Sequence, residues 1–183
     1  MNTFPVHSLE SAPEKSRPSL KTLQEIFGRI PNIAGAMSTS PVLIGALVAL
    51  FQKVHGGSFS EEQIQVLLLT NAVTNGCTWA VAFHTALALK EGVEPADVEA
   101  IRRGQAPRKA GNSALSVLAR NLIEKRGLLN EQDEANFLLA GFTRAHLLEV
   151  IAVVAASTIT NYTGNVAQPP VDTAFTAYSW SAP

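Results

Sequence analysis

Apolar residues recur at intervals of three and four along most of the chain, which is the spacing of one face of a helix. Glycine, proline and asparagine fall between the apolar segments, and no alternating run of β-branched residues lies between turn signals. The pattern therefore predicts an all-α fold. The predicted helices span about residues 21–30, 41–54, 61–74, 77–91, 113–126 and 144–161, and two more begin near residues 95 and 131.

Several of these helices carry sequence signals for their first turn. The segment 60–63, Ser-Glu-Glu-Gln, is a capping box, in which the serine and glutamine side chains satisfy free backbone amides. Asn130 with Asp133 predicts a similar start. Asn112 predicts the cap of the helix that ends before Gly127.

The amino-terminal segment differs from the rest of the chain. It holds Pro5, Pro13 and Pro18 among scattered polar residues, a composition typical of an extended arm. We therefore predict an arm over residues 1–19 and a single helical domain over residues 20–183.

A weak internal repeat appears at an offset of 84 positions, which aligns Ala72 with Ala156 and Cys77 with Asn161. Two interpretations are open at this point. Apolar helices share such patterns by chance, or the chain contains two similar helical hairpins packed together, each opened by an apolar helix.

Composition indicates a large apolar core and a surface poor in charge. Hydrophobic residues make up 46% of the 183 residues and charged residues 16%, against about 25% charged in an ordinary soluble domain. We therefore expect another subunit to cover part of the surface. With a net charge of −1 and no run of Lys and Arg, nucleic acid is not expected as a partner.

The same sequence predicts a cytoplasmic protein that does not span a membrane. Cys77 is the single cysteine, so no internal disulfide can form. No basic segment followed by an apolar one opens the chain, and the longest apolar stretch, residues 147–159, contains Glu149. That stretch is shorter than the roughly 20 residues that a membrane span needs.

Cys77 and His84 are the residues best suited to chemistry. They are seven positions apart, close to two helical turns, so both side chains should project from one face about 10 Å apart. Cys77 follows Gly76 at a predicted helix start, where unpaired amides and the helix dipole favour a thiolate. A purely structural role stays open for both, because a free cysteine often packs as a small hydrophobe and a histidine among apolar residues often packs in a core.

No metal or cofactor is expected. The histidines have no metal-ligand spacing with one another, and neither an HxxxH nor an HExxH pattern occurs. The histidines concerned are His7, His55, His84 and His146.

Residues 62–92 resemble the carboxymuconolactone decarboxylase superfamily and, within it, the alkylhydroperoxidase D-like proteins. Those proteins have a glutamate, twelve residues later a Cys-x-x-Cys at the start of the next helix, and a histidine seven residues after the first cysteine. Here Gln65, Cys77, Ala80 and His84 occupy the four positions with the spacing intact. The flanking segments are similar to peroxidase-related members along most of the chain after about residue 20.

The resemblance implies an all-helical subunit that forms a homo-oligomer, a trimer or a hexamer. In the peroxidase members the second cysteine attacks the peroxide, the first resolves the sulfenic acid, and glutamate and histidine relay protons. With Ala80 at the second cysteine position, an oxidised Cys77 needs an external thiol or a second subunit to resolve it. Gln65 can orient a water or a thiol but cannot accept a proton near neutral pH.

Three functions are compatible with these residues. The first is a one-cysteine thiol peroxidase of reduced or altered activity, with Cys77 as the reactive thiol, His84 as its proton partner, Gln65 beside them and an external thiol as reductant. The second is a non-enzymatic helical oligomer that binds a small apolar ligand or a partner protein. The third is a decarboxylase-like acid–base enzyme that uses His84, as the decarboxylase branch works without a cysteine pair.

Overall fold

The computed structural model describes residues 4–182, and in this range the chain forms helices joined by loops, with no strand. The all-α fold class is confirmed. Two short 3₁₀ helices span Glu14–Ser16 and Thr173–Tyr178. The α-helices of the described range are α1 (Arg17–Phe27), α2 (Asn32–Met37), α3 (Pro41–His55), α4 (Glu61–Thr74), α5 (Thr78–Lys90), α6 (Pro95–Arg102), α7 (Ala110–Glu124), α8 (Glu131–Leu139) and α9 (Arg144–Ala167).

Helices α4 and α5 form the centre of the molecule. Both are buried around most of their circumference, because apolar or small residues occupy nearly every face. Helix α4 packs against α5, α7 and α9, and the carboxy-terminal 3₁₀ helix packs against α5. Gln65 on α4 and His84 on α5 therefore lie in the core of the subunit.

Of the three predicted capping residues, two are confirmed and one is wrong. The Ser60 and Asn130 capping boxes both form, with the side chain of each cap accepting from the backbone amide three residues later. Asn112 is not a cap, because α7 begins two residues earlier at Ala110. Its side-chain amide instead donates to Glu62 on α4 at 2.8 Å, so a tertiary contact determines the use of this asparagine.

The structure contains elements that the apolar pattern did not predict. Helix α2 and the 3₁₀ helix Thr173–Tyr178 are too short to show a helical period. Helix α9 continues six residues beyond Asn161. In this extension the Thr163 hydroxyl donates to the carbonyl of Ile159 at 2.7 Å, so a polar residue fits the helix by bonding back to its own backbone.

The second half of the internal repeat does not form a hairpin. Helix α4 ends at Thr74 and Cys77 caps α5, whereas the aligned residue Asn161 lies inside the continuous helix α9. The sequence similarity at this offset is therefore a similarity of two apolar helices and not of two helical pairs.

The amino-terminal arm packs onto the body of the protein. Residues 4–13 contain no helix, but α1 begins at Arg17, four residues before the predicted start. Pro18 lies in the first turn of α1, where its missing amide costs no hydrogen bond. The His7 amide donates to the Gly35 carbonyl of α2 at 3.2 Å. The boundary between arm and domain at residue 19 stays a prediction.

Helix α9 leaves one apolar face uncovered. Leu148, Ile151, Tyr162 and Val166 recur at helical spacing on this face and are 43–69% exposed. The opposite face packs against α3 and α4. Within residues 4–182, α9 alone is long and apolar enough to cross a membrane by length and composition, a criterion that core helices of soluble proteins also meet.

Candidate functional site

His84 and Gln65 form a buried hydrogen-bonded pair between the two central helices. His84 Nδ1 lies 3.0 Å from Gln65 Oε1, and the two residues are 5% and 3% exposed. Because an amide oxygen only accepts, Nδ1 carries the proton and Nε2 is left with a lone pair. The structure thus brings together two of the three predicted site residues.

The environment of His84 keeps its imidazole neutral. Burial lowers the pKa of His84 to about 3, and the nearby His55 adds to this effect by charge repulsion. Gln65 is uncharged, so it adds no negative charge that would counteract this lowering of the pKa. At neutral pH, His84 therefore acts as a hydrogen-bond acceptor through Nε2 and not as a cation.

Cys77 caps the amino terminus of α5, at the helix start that the sequence predicted. The backbone amides of Trp79 and Ala80 in the first turn of α5 act to lower the pKa of its thiol, which favours the thiolate. Burial has the larger effect, however, and the pKa of the Cys77 thiol is raised above its ordinary value. The residue has no solvent-exposed surface.

Helix α9 covers the Cys77 sulfur. A β-carbon placed on Gly164 would lie 2.5 Å from Cys77 Sγ and 3.6 Å from the Ile33 side chain. Glycine at this position therefore permits a close approach of the α9 backbone to the thiol. Burial of Cys77 depends on this contact from a distant part of the chain.

A narrow cavity of about 50 Å³, called here the His84 cavity, lies beside the His84–Gln65 pair. Most of its wall is apolar or aromatic, and His84 and Thr160 contribute polar side chains. Cys77 does not line this cavity, although its neighbours Trp79 and Ile33 do. The wall consists of Leu23, Phe27, Pro31, Ile33, Ala34, Leu47, Phe51, Trp79, Phe83, His84 and Thr160.

Trp79 is fixed by a hydrogen bond and by a ring contact. Its indole Nε1 donates to the Asp172 carboxylate at 3.0 Å, and its ring stacks on Phe83 at 4.9 Å between centroids. Asp172 also accepts from the Asn32 amide at the start of α2. No local pattern in the sequence indicates this role of Asp172, because its two partners lie more than 90 residues away.

A second cavity of about 350 Å³, called here the His55 cavity, is lined in part by Gln65. His55 and Glu61 form part of its wall and are paired, with His55 Nδ1 2.9 Å from Glu61 Oε2. Phe27 and Phe51 line both cavities and separate them. The His55 cavity could not be predicted from the sequence, because its residues come from α1, α3, α4 and α5.

Two buried asparagines lie near the same ends of α4 and α9. The two helices run parallel, since Glu149 accepts from the Ser58 amide near their starts and Asn165 donates to the Asn75 carbonyl near their ends. Asn71 and Asn161 each lie one turn before that second contact on their own helix. Both side-chain polar atoms of Asn71, and Asn161 Oδ1, are buried without a hydrogen-bond partner among residues 4–182. Sites of this kind are those that internal water occupies.

In the described part of the chain, no three His, Cys, Asp or Glu residues are grouped in a way that could hold a metal ion. The prediction that the protein uses no metal or cofactor stays a prediction. The polar side chains that line the His84 cavity or bond to His84 carry an imidazole, an indole, a hydroxyl and an amide, and each of these groups is neutral at neutral pH.

Comparison with solved structures shows the fold. A peroxidase-related protein of Ralstonia eutropha JMP134, described as an alkylhydroperoxidase AhpD core, aligns with a TM-score of 0.82 at 19% identity, over 94% of this chain and 93% of that one. A peroxidase-related protein of Silicibacter sp. TM1040 aligns with a TM-score of 0.78 at 17% identity, over 94% and 92%.

The debrominase Bmp8 has the same fold. Its structure without ligand aligns with a TM-score of 0.78 at 16% identity, over 96% of this chain and 94% of that one. A cysteine-to-alanine variant of that enzyme in complex with 2,3,4-tribromopyrrole aligns with a TM-score of 0.76 at 14% identity, over 97% and 95%.

Sequence comparison adds the family. No curated protein matches the chain, but residues 42–120 match the Carboxymuconolactone decarboxylase family. This range contains all four positions of the motif identified in the sequence, from Gln65 to His84. The resemblance inferred from the sequence is thereby confirmed over residues 42–120, which match this family, and the chain has the AhpD-core fold.

Proposed function

We propose that this protein binds a small, largely apolar molecule in the His84 cavity, and that His84 Nε2 accepts a hydrogen bond from an O–H or N–H group of that molecule. The observation that carries the proposal is the neutral His84, held by Gln65 on the wall of an otherwise apolar and aromatic cavity. A neutral acceptor in such a wall favours a neutral ligand with one donor over an anion.

The chemistry available to this arrangement is proton transfer. Gln65 fixes the tautomer, so a proton taken from the ligand would arrive at Nε2. The low pKa makes His84 a weak base, and the bound proton would be held only while a developing negative charge on the ligand stays close. This supports the third function considered from the sequence, acid–base chemistry without a cysteine pair. The debrominase variant bound to tribromopyrrole, a small ring with an N–H, is consistent with such a ligand.

The proposal can be tested with phenol and pyrrole as probes on protein labelled with ¹⁵N-histidine. We expect each probe to shift the His84 Nε2 resonance, because a new hydrogen bond changes the shielding of that nitrogen. The His84→Asn variant should lose binding, whereas His146→Asn, which changes a histidine outside the cavity, should retain it. A His84 resonance that no probe shifts, at any concentration up to the probe's solubility, would contradict the proposal.

A one-cysteine thiol peroxidase is the second candidate, and the backbone amides of Trp79 and Ala80, which act to lower the pKa of the Cys77 thiol, favour it. In this reaction the thiolate attacks one peroxide oxygen, the O–O bond breaks, and an alcohol or water leaves with a proton. The resulting sulfenic acid is reduced by two equivalents of an external thiol, which form a disulfide and release water. The buried sulfur and the raised pKa of Cys77 oppose this reaction.

The thiol reaction has a direct test. One equivalent of hydroperoxide should produce a sulfenic acid at Cys77 that a diketone reagent traps and mass spectrometry detects, and Cys77→Ser should give no adduct. Because α9 covers Cys77 at Gly164, we expect this labelling to be far slower than that of an exposed thiol. Complete labelling within seconds would favour the peroxidase over the acid–base proposal.

We also propose that the protein is a homo-oligomer, as the resemblance implied. The exposed apolar face of α9 supports this proposal, since single subunits rarely leave a continuous apolar stripe in water. Leu148→Glu should lower the mass measured by light scattering if this face is the interface. An unchanged mass would exclude this face as the subunit interface.

The cytoplasmic location stays a prediction supported by the unpaired Cys77.

A further inference from the structure

Phe27 is a shared wall of three cavities. It lines both the His84 cavity and the His55 cavity. It also lines a third cavity of about 200 Å³ beside Phe175. Removal of this one side chain would therefore merge the narrow space at His84 with its larger neighbours.

The His84 cavity is too small for a ring. Its volume of about 50 Å³ is roughly a third of the ~150 Å³ apolar cavity known to admit benzene. A ring that reaches His84 must therefore displace a side chain of the wall. Phe27 and Phe51 are the aromatic side chains that separate the His84 cavity from the His55 cavity.

Phe27 is the more movable of the two. It is the last residue of α1, and Gly28 follows it in the left-handed region with φ of +69°. Its ring lies 5.4 Å from Phe83 and 6.2 Å from Phe51, centroid to centroid, and the residue is half-buried. Phe51 lies within the longer helix α3, and its ring contacts His55 at 4.1 Å. Helix ends open more readily than helix interiors.

We propose that Phe27 is the gate between the His55 cavity and His84, and that it determines the size of the molecule that reaches His84. The inference rests on the proposed function, because it concerns the ligand of the same site. Rotation of the Phe27 ring away from Phe51 joins the two cavities and lets a one-ring molecule with an O–H or N–H donor contact Nε2. With the ring in its present position every ring is excluded, and the space that its rotation opens admits one ring but not two.

The test compares phenol with 2-naphthol in the parent protein and in Phe27→Ala. If the gate is open in about a tenth of molecules, its removal should raise the association rate and the affinity for phenol about tenfold. Phe27→Ala should also bind 2-naphthol, which the parent should reject. Stopped-flow fluorescence of the tryptophans gives the rates, and the His84 resonance reports where the probe binds.

Phe142→Ala is the matched control, because Phe142 is a half-buried phenylalanine that packs on Phe59 and Phe137 away from these cavities. Phe142→Ala should change neither the association rate of phenol nor the exclusion of 2-naphthol. If Phe27→Ala does not fold, Phe27→Leu removes the ring and keeps an apolar side chain at the end of α1.

Two outcomes separate this inference from the proposed function. If phenol shifts the His84 resonance equally fast in the parent and in the Phe27 variant, and both reject 2-naphthol, Phe27 is not the gate while the function stands. If neither probe shifts His84 in either protein, the proposed function fails and the gate fails with it.

Discussion

The neutral state of His84 predicts a specific dependence of stability on pH. Burial lowers the pKa of His84 to about 3 in the folded protein, whereas an unfolded histidine has a pKa of about 6.5. Below pH 6.5 the unfolded chain therefore binds a proton that the folded protein does not bind. Stability contributed by the neutral His84 is complete above about pH 6.5 and is lost as the pH falls toward 3.

The size of the effect follows from linkage. One proton changes the free energy of unfolding by about 1.4 kcal/mol per pH unit between the two pKa values, so a fall from pH 7.5 to pH 5 should cost about 2 kcal/mol. Glu62 and Asp133 do not interfere in this range. Hydrogen bonds from Lys109 and Lys125 lower the pKa of these carboxyls, so their contribution is lost only below about pH 4.5.

Urea unfolding at intervals between pH 5 and pH 7.5 measures the effect. The control is His84→Asn, whose side-chain amide can replace Nδ1 as donor to Gln65 but cannot titrate. The variant should be less stable at neutral pH, because it loses part of the ring, and the difference between parent and variant should shrink by about 2 kcal/mol toward pH 5. Parallel curves for the two proteins would refute the assignment of a buried, neutral His84.

Three further predictions concern the residues around Cys77 and His84. Gly164→Ala should lower the free energy of unfolding of the parent in urea by about 1–3 kcal/mol, because the added carbon meets Cys77 Sγ. It should be tolerated in a Cys77→Ala background, and equal effects in both backgrounds would exclude that contact. Gln65→Glu should raise the pKa of His84, measured by NMR titration, because a carboxylate at this position stabilises the imidazolium; an unchanged pKa would place the new carboxylate elsewhere. Ala80→Cys with Gln65→Glu should form an internal disulfide with Cys77 under mild peroxide and show dithiol-dependent peroxide turnover, and two free thiols in a folded, peroxide-treated sample would contradict this.

The helices were predictable because their signals are local. The Ser60 capping box and the apolar run after it are contiguous in sequence, and they set α4 without reference to the rest of the chain. The Gln65–His84 pair could also be predicted, because the motif spacing places the two residues on neighbouring helices. Asn112 shows the limit of local signals. Its side chain donates to Glu62 on another helix and does not cap α7.

The burial of Cys77 could not be predicted from its neighbours in the sequence. A helix start favours a thiolate, and Trp79 and Ala80 do supply the expected amides. The opposing effect comes from Gly164, on a helix that the sequence predicted to end before that residue. The His84 cavity could not be predicted either, because Phe27, Phe51 and His84 are brought together only when three separate helices pack.

The two departures from the family motif have separate physical consequences. A glutamate at position 65 would place a carboxylate about 3 Å from His84 and favour the imidazolium. With Gln65 the imidazole stays neutral, and the Cys77 thiol, whose pKa is raised, stays protonated. With Ala80 no second sulfur occupies the start of α5. The result is a site without charge at neutral pH, which opposes peroxide chemistry and favours a neutral apolar ligand. Because a charged His84 no longer offers a neutral acceptor at Nε2, Gln65→Glu should weaken the binding of phenol, whereas the reactivity of Cys77, which burial under α9 limits, should stay unchanged in the same protein.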